Sequence, residues 1–176
     1  MFWDVHSHVI PSGDDGAKSL EEGIALCRTA SERGTSVLFA TPHVWPSLTL
    51  TEDREQRVRE AHAELAGEAS SFGLDLRLGF ELTPAAPLLD DDVERYRLGD
   101  LPAVLMELPF QGSLRLAEAL GERIQGSGLV PIRAEEVDDA YRLVEARMGE
   151  GARRLFDGSA LAGLAAGDGV DLAQGR

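Results

Sequence analysis

Residues 1–40 read MFWDVHSHVIPSGDDGAKSLEEGIALCRTASERGTSVLFA, and this stretch decides the fold class. Phe2 to Val5 is a short apolar run of the strand type. Ser19 with Glu22 forms a capping-box pattern, and Leu20, Ile24, Cys27 and Ala30 recur at helical spacing as far as Gly34. Ser36 to Ala40, SVLFA, is a second short, largely apolar run of the strand type. Strand, helix, strand in this order predicts a right-handed crossover and parallel pairing.

The pattern repeats downstream. Leu74 to Phe80, Ala103 to Leu108 and Leu129 to Ile132 are further candidate strands. A helix is expected from near Thr51 to Ser71, with Val58, Ala61, Leu65 and Ala69 on its inner face, and others over Ser113 to Gly126 and Glu135 to Gly149. About five β/α units follow, which predicts an α/β layer fold or an incomplete barrel. Residues 1–150 read as one domain, and 151–176 as a Gly- and Ala-rich tail.

Composition bounds the function. The chain has 176 residues, 43% apolar and 27% charged, with a net charge of −14. That length suffices for a core without disulfides or a structural metal. A single cysteine, Cys27, excludes a disulfide framework and a cysteine-rich zinc module. So acidic a surface repels phosphate backbones, which argues against non-specific nucleic-acid binding. No apolar run reaches the ~18 residues of a membrane span, and the amino terminus lacks a secretory pattern, so a cytoplasmic protein is expected.

Polar residues of one kind gather at one place. His6 and His8 end the first candidate strand, His43 follows the second, Glu81 closes the third and Glu107 the fourth. In parallel α/β folds that carboxyl edge is where active sites are built. His6 and His8 are two apart and therefore point to one side of an extended chain. Imidazole and carboxylate donors without thiolate suit zinc, manganese or iron better than calcium. Carboxylates ~4 Å apart repel by ~1–4 kcal/mol per pair between the dielectrics of water and a protein surface, so cations among them are expected.

The string DVHSHVIPSGDDGAKSLEEGIALC, with ATPH, GFELTP and VLMELPF, resembles the polymerase and histidinol phosphatase (PHP) superfamily. Its closer match is to the bacterial branch of manganese-dependent protein-tyrosine phosphatases of capsular and exopolysaccharide synthesis, over residues 1 to about 132. The resemblance implies a distorted, TIM-like (β/α) barrel, here incomplete, with a two- or three-metal centre. It implies metal ligation by His6, His8, His43, Glu81 and Glu107, and by Asp15 in preference to Asp14. Manganese is the implied ion, with iron or zinc as alternatives. The implied reaction is hydrolysis of phosphotyrosine by a metal-activated water, without a cysteine intermediate. The implied partner is a bacterial tyrosine kinase that controls polymer export.

The carboxyl side departs from that family's pattern. A PIxAHPER-like segment is expected after the fifth strand, and this chain reads PIRAEEVDD. Glu135 stands where the ligand histidine belongs, as a candidate replacement donor, and Asp138 where a phosphate-binding arginine belongs. A late D-x-H pair is also missing, since the last of four histidines is His62. Weakened catalysis, or none, is therefore expected of this chain alone. A five-stranded barrel also leaves an open strand edge, which invites self-association. The alternatives are a non-catalytic remnant that binds metal or a partner, and a small-molecule phosphatase such as one acting on histidinol phosphate.

Other signals read as structure. Cys27 to Arg33 has the C-x5-R spacing of cysteine-dependent phosphatases, but inside an amphipathic helix rather than a phosphate loop, so Cys27 is expected in the core. His62 is expected at a core boundary. Asp90 to Asp92 reads as a solvated helix start. Trp3 and Trp45 flank the expected mouth, as core residues or as contacts for an aromatic substrate.

Overall fold

The structure, a computed structural model, describes residues 2–107 and 114–134. The expected helix from Glu135 to Gly149, Glu135 itself and the tail from 151 lie outside the described residues. The elements run β1 (Phe2–Asp4), α1 (Leu20–Glu32), β2 (Thr35–Ala40), β3 (His43–Val44), α2 (Glu52–Ser71), β4 (Asp75–Leu78), β5 (Glu81–Leu82), β6 (Ala103–Met106), α3 (Leu114–Gly126) and β7 (Val130–Arg133). Two 3-10 turns, Ala86–Leu89 and Val93–Tyr96, precede β6.

Both long crossover helices start as their sequences dictate. Ser19 Oγ accepts the Glu22 amide at 3.3 Å, and Glu22 reaches back to the Lys18 amide at 2.7 Å. Thr51 Oγ1 accepts the Arg54 amide at 3.2 Å at the head of α2. Each satisfies one of the orphan donors of a helix start. Past α1 the chain turns at Gly34, whose φ of +95° is left-handed and favours glycine.

All strand pairs are parallel, in two sheets ordered β1-β2-β4 and β3-β5-β6-β7. The five sequence runs give five of the seven strands, and two short strands, β3 and β5, follow the second and third runs across brief interruptions. Pro42 has no N–H and ends the ladder after β2. At Gly79 the backbone passes so close to Leu98 that a Cβ would lie 3.1 Å from the Leu98 Cα. Single hydrogen bonds bridge both breaks, from the Gly79 amide to Ala40 at 2.9 Å and from the Glu81 amide to Pro42 at 3.2 Å. The strands follow one another in chain order, as in a barrel, but the described sheets do not close. The expected strand from Leu74 to Phe80 is observed as Asp75–Leu78, with the short β5 beyond it, and the described sheets form an open parallel α/β array.

Period-two alternation gives the array two apolar faces. Leu38, Ala40, Val104 and Met106 face the helices, joining Cys27, Val58, Leu65, Ala69, Leu120 and Ile124. Val37, Phe39, Ala103 and Leu105 face the other way, against Leu98 and Leu101, with Trp3, Val5, Val130 and Ile132 alongside. Cys27 is fully buried, and burial pushes its thiol up to about 11. It is a core residue, as its place on the apolar stripe predicts. Trp3 also packs inward, tilted against Phe39 with ring centroids 6.4 Å apart. No helix among the described residues is long and apolar enough to cross a membrane.

Candidate metal centre

Four of the described strands, β1, β3, β5 and β6, deliver polar residues to one place. His6 and His8 leave β1, His43 opens β3, Glu81 opens β5 and Glu107 follows β6. The short strands after the two breaks matter here, since β3 and β5 pair His43 directly with Glu81. The breaks tilt these two side chains into the mouth, where Glu81 is 2% and His43 7% exposed.

Glu81 is the hub. Its Oε2 lies 2.8 Å from His6 Nε2, 3.2 Å from His8 Nε2 and 3.3 Å from His43 Nδ1. His6 Nε2 and His8 Nε2 are themselves 3.0 Å apart. If both ring nitrogens donate to Glu81, neither is left to accept from the other. One cation in place of those protons satisfies all three contacts. Cis donors on an octahedral ion with ~2.1 Å bonds stand ~3.0 Å apart, which is the scale of this triangle. The buried Nδ1 atoms of His8 and His43 make no hydrogen bond. The donor set and its spacing fit a divalent ion.

Three groups have donor atoms that all lie within 4.8 Å of one another among the described residues: His6, His8 and Glu81; His8, Asp15 and His43; and His43, Glu81 and Glu107. Six of the seven sequence candidates therefore converge, and Glu135 lies outside the described residues. Asp15 is exposed, with Oδ1 3.6 Å from His43 Nε2. Asp14 is buried behind the donors, accepting the His43 amide at 3.0 Å and the Gly16 amide at 3.1 Å, 3.6 Å from His8 Nδ1. Glu107 is oriented by Thr83, whose hydroxyl donates to Oε2 at 2.7 Å.

Neighbouring charges shift several groups of the cluster against the effect of burial. Burial opposes charge on His8, but the Asp14 and Glu81 carboxylates outweigh it and raise its pKa to about 9. Burial would raise Glu81, yet the imidazoles of His6, His8 and His43 hold it down at about 2. Asp14 is held well below the usual carboxylate range, against the effect of burial, by His8 and by the amides of His43 and Gly16.

Around this cluster the imidazoles and one indole form a run of rings. His8 stacks on His43 at 4.4 Å, and Trp45 lies over His43 at 4.6 Å. Arg133 pairs in register with Met106, on the face opposite the Leu105–Ile132 pair that leads towards Glu107. The pleat therefore turns Arg133 away from the donors. Arg54 escaped the sequence reading. It lies four residues before Val58 on the buried stripe of α2, and an arginine at an inward position was the available signal.

A family model described as "Capsular polysaccharide synthesis, CpsB/CapC" matches residues 2–155. The chain belongs to the CpsB/CapC family. Among its CpsB/CapC relatives, the tyrosine-protein phosphatase YwqE of Bacillus subtilis (strain 168) is 28% identical over 170 residues, 92% of this chain and 66% of the relative. The CapC protein of Staphylococcus aureus is 24% identical over 133 residues, 74% of this chain and 52% of that protein. A solved structure from work on YwqE of Bacillus subtilis and CpsB of Streptococcus pneumoniae, described as unique metal-dependent tyrosine phosphatases, superposes with a TM-score of 0.63. It is 28% identical, covering 82% of this chain and 63% of that one. The chain thus spans between about half and two thirds of the length of the CpsB/CapC relatives it matches.

Proposed function

We propose that this chain is a metal-dependent phosphotyrosine-protein phosphatase whose donors are His6, His8, Asp15, His43, Glu81 and Glu107. The observation that carries the reading is the triangle of His6 Nε2, His8 Nε2 and Glu81 Oε2, with edges of 2.8, 3.0 and 3.2 Å. Membership of the CpsB/CapC family and the named activity of its relatives support it. Manganese is the proposed ion, Glu135 a proposed further donor, and the open array the proposed arc of a distorted barrel. A tyrosine kinase of polymer export is the proposed substrate, in the cytoplasm.

A divalent cation held there supplies a Lewis acid for phosphoryl oxygens and lowers the pKa of a coordinated water. The chain's own residues do the rest. Glu81 presents one oxygen to three imidazoles, so it ties the histidines of β1 and β3 into a single centre. Asp14 holds the His43 backbone amide and lies 3.6 Å from the rear nitrogen of His8. Thr83 holds Glu107 in place. Cys27, buried and weakly acidic, takes no part.

The test is hydrolysis of a phosphotyrosine peptide and of histidinol phosphate by the protein supplied with Mn²⁺, with metal content measured in parallel. Peptide turnover lost in both His6→Ala and Glu107→Ala supports the proposal. Turnover of histidinol phosphate alone favours the small-molecule reading. Bound metal without turnover of either favours a non-catalytic protein, the reading that Glu135 and Asp138 raise by replacing the family's histidine and arginine.

A further inference from the structure

Arg54 is 5% exposed although it belongs to a strongly polar helix. The neighbouring Arg57 and Arg59 make ordinary surface pairs with Asp53 and Glu55, one turn away. Arg54 does not. Its guanidinium turns inward and donates Nε to the Ser12 carbonyl at 3.3 Å and Nη1 to the Leu48 carbonyl at 3.1 Å. Nη2 donates to the His43 carbonyl at 2.8 Å and to Ser12 Oγ at 3.4 Å. Among the described residues no hydrogen-bond acceptor of Arg54 is a carboxylate; carbonyls and a hydroxyl take its hydrogen bonds, and the Asp14 carboxylate acts on its charge through space. Such a group is costly to bury and keeps its place only if every partner stays where it is.

Two of the three segments it joins carry donors of the centre. His43 is one; Ser12 opens the turn that holds Asp14 and Asp15. The His43 peptide is gripped from both sides, its N–H by Asp14 at 3.0 Å and its carbonyl by Arg54 at 2.8 Å. Arg54 therefore sets the separation between His43 and the Asp14–Asp15 turn. Among the described residues, its hydrogen bonds do not reach the segments that carry His6, Glu81 or Glu107.

We infer that Arg54 is a positioning residue for the donors Asp15 and His43, and hence for the group they form with His8, rather than for the group His6, His8 and Glu81. The inference rests on the proposed reading of these side chains as metal donors. Asp15 belongs to the first group alone and His6 to the second alone, so their variants report on each separately.

The experiment is calorimetric titration of metal-free protein with Mn²⁺, for wild type, Arg54→Met, Arg54→Lys, Asp15→Asn and His6→Ala, with thermal unfolding of each metal-free form. Arg54→Met is expected to weaken, by tenfold or more, the same binding step that Asp15→Asn weakens. The step lost in His6→Ala should stay within twofold of wild type. Arg54→Lys, which keeps the charge and three donors, should fall between wild type and Arg54→Met. An Arg54→Met isotherm identical to wild type, both steps weakened together, a single inseparable step, or failure of both Arg54 variants to fold each overturns the inference. Wild-type protein that binds no Mn²⁺ overturns the metal reading itself, which keeps the two failures apart.

Discussion

Gly16 lies flat against the backbone of His8: a Cβ on Gly16 would stand 2.3 Å from the His8 carbonyl oxygen and 2.5 Å from the His8 Cβ. The next amide, of Ala17, donates to that same oxygen at 2.9 Å. The glycine of the DDG turn is thus required by close approach, since the turn must press against the end of β1 to bring Asp14 and Asp15 beside His8.

Gly16→Ala should therefore displace the turn. The expected cost is about 1–3 kcal/mol of stability, as for other overpacked sites, read by denaturant unfolding in chelator. Mn²⁺ affinity should fall as well, because Asp15 moves with the turn. An alanine variant of wild-type stability and affinity would contradict this packing.

Glu81→Gln removes the charge shared by three imidazoles while keeping size and burial. Mn²⁺ affinity should fall by about two orders of magnitude, since an amide is a poor ligand for these ions. The fold, read by circular dichroism, should persist. Retained affinity would mean that Glu81 is not the hub.

Much of this was legible from residue order alone. The cap at Ser19, the helix start near Thr51, the stop at Gly34 and all five apolar runs lie within a residue or two of the observed ends. The shared position of His6, His8, His43, Glu81 and Glu107 followed from period and strand end. The breaks at Pro42 and Gly79 did not, because they depend on what crosses the strand: Pro42 interrupts a ladder whose partner is remote, and Gly79 gives way to Leu98 from a distant loop. Arg54 was missed for the same reason, since its acceptors come from segments far from α2. The run at Asp90 to Asp92 reads as a solvated helix start; Asp92 does cap a 3-10 turn, but Asp91 accepts the Tyr96 hydroxyl and pairs with Arg95.

That Asp91–Tyr96 contact sets an alkaline limit. Tyr96 is 1% exposed, and burial, then its hydrogen bond to Asp91 and the charge there, push its pKa above the ordinary value. A raised folded pKa contributes stability that is present below the unfolded value of about 10 and lost as pH rises through the folded one. Tyr96→Phe should be less stable at pH 8 by about 1–2 kcal/mol, and the gap should narrow above about pH 10. Urea midpoints across pH 7–11 check it; a constant gap would contradict the linkage.

Cys27, fully buried with a thiol raised to about 11, should resist iodoacetamide at pH 7.5 in the folded protein and react in urea. Cys27→Ala should keep whatever phosphatase turnover the wild type shows, within twofold. Loss of turnover in a folded Cys27→Ala protein would reopen the cysteine route.

The central claim is that separate β/α units bring imidazoles and carboxylates together to hold cations. Anomalous difference density at the manganese edge, from crystals grown with Mn²⁺, tests it most directly. A peak is predicted whose nearest protein atoms are His6 Nε2, His8 Nε2 and Glu81 Oε2. A map with no peak touching any of the six converging side chains, from protein that is otherwise folded as described, would contradict it.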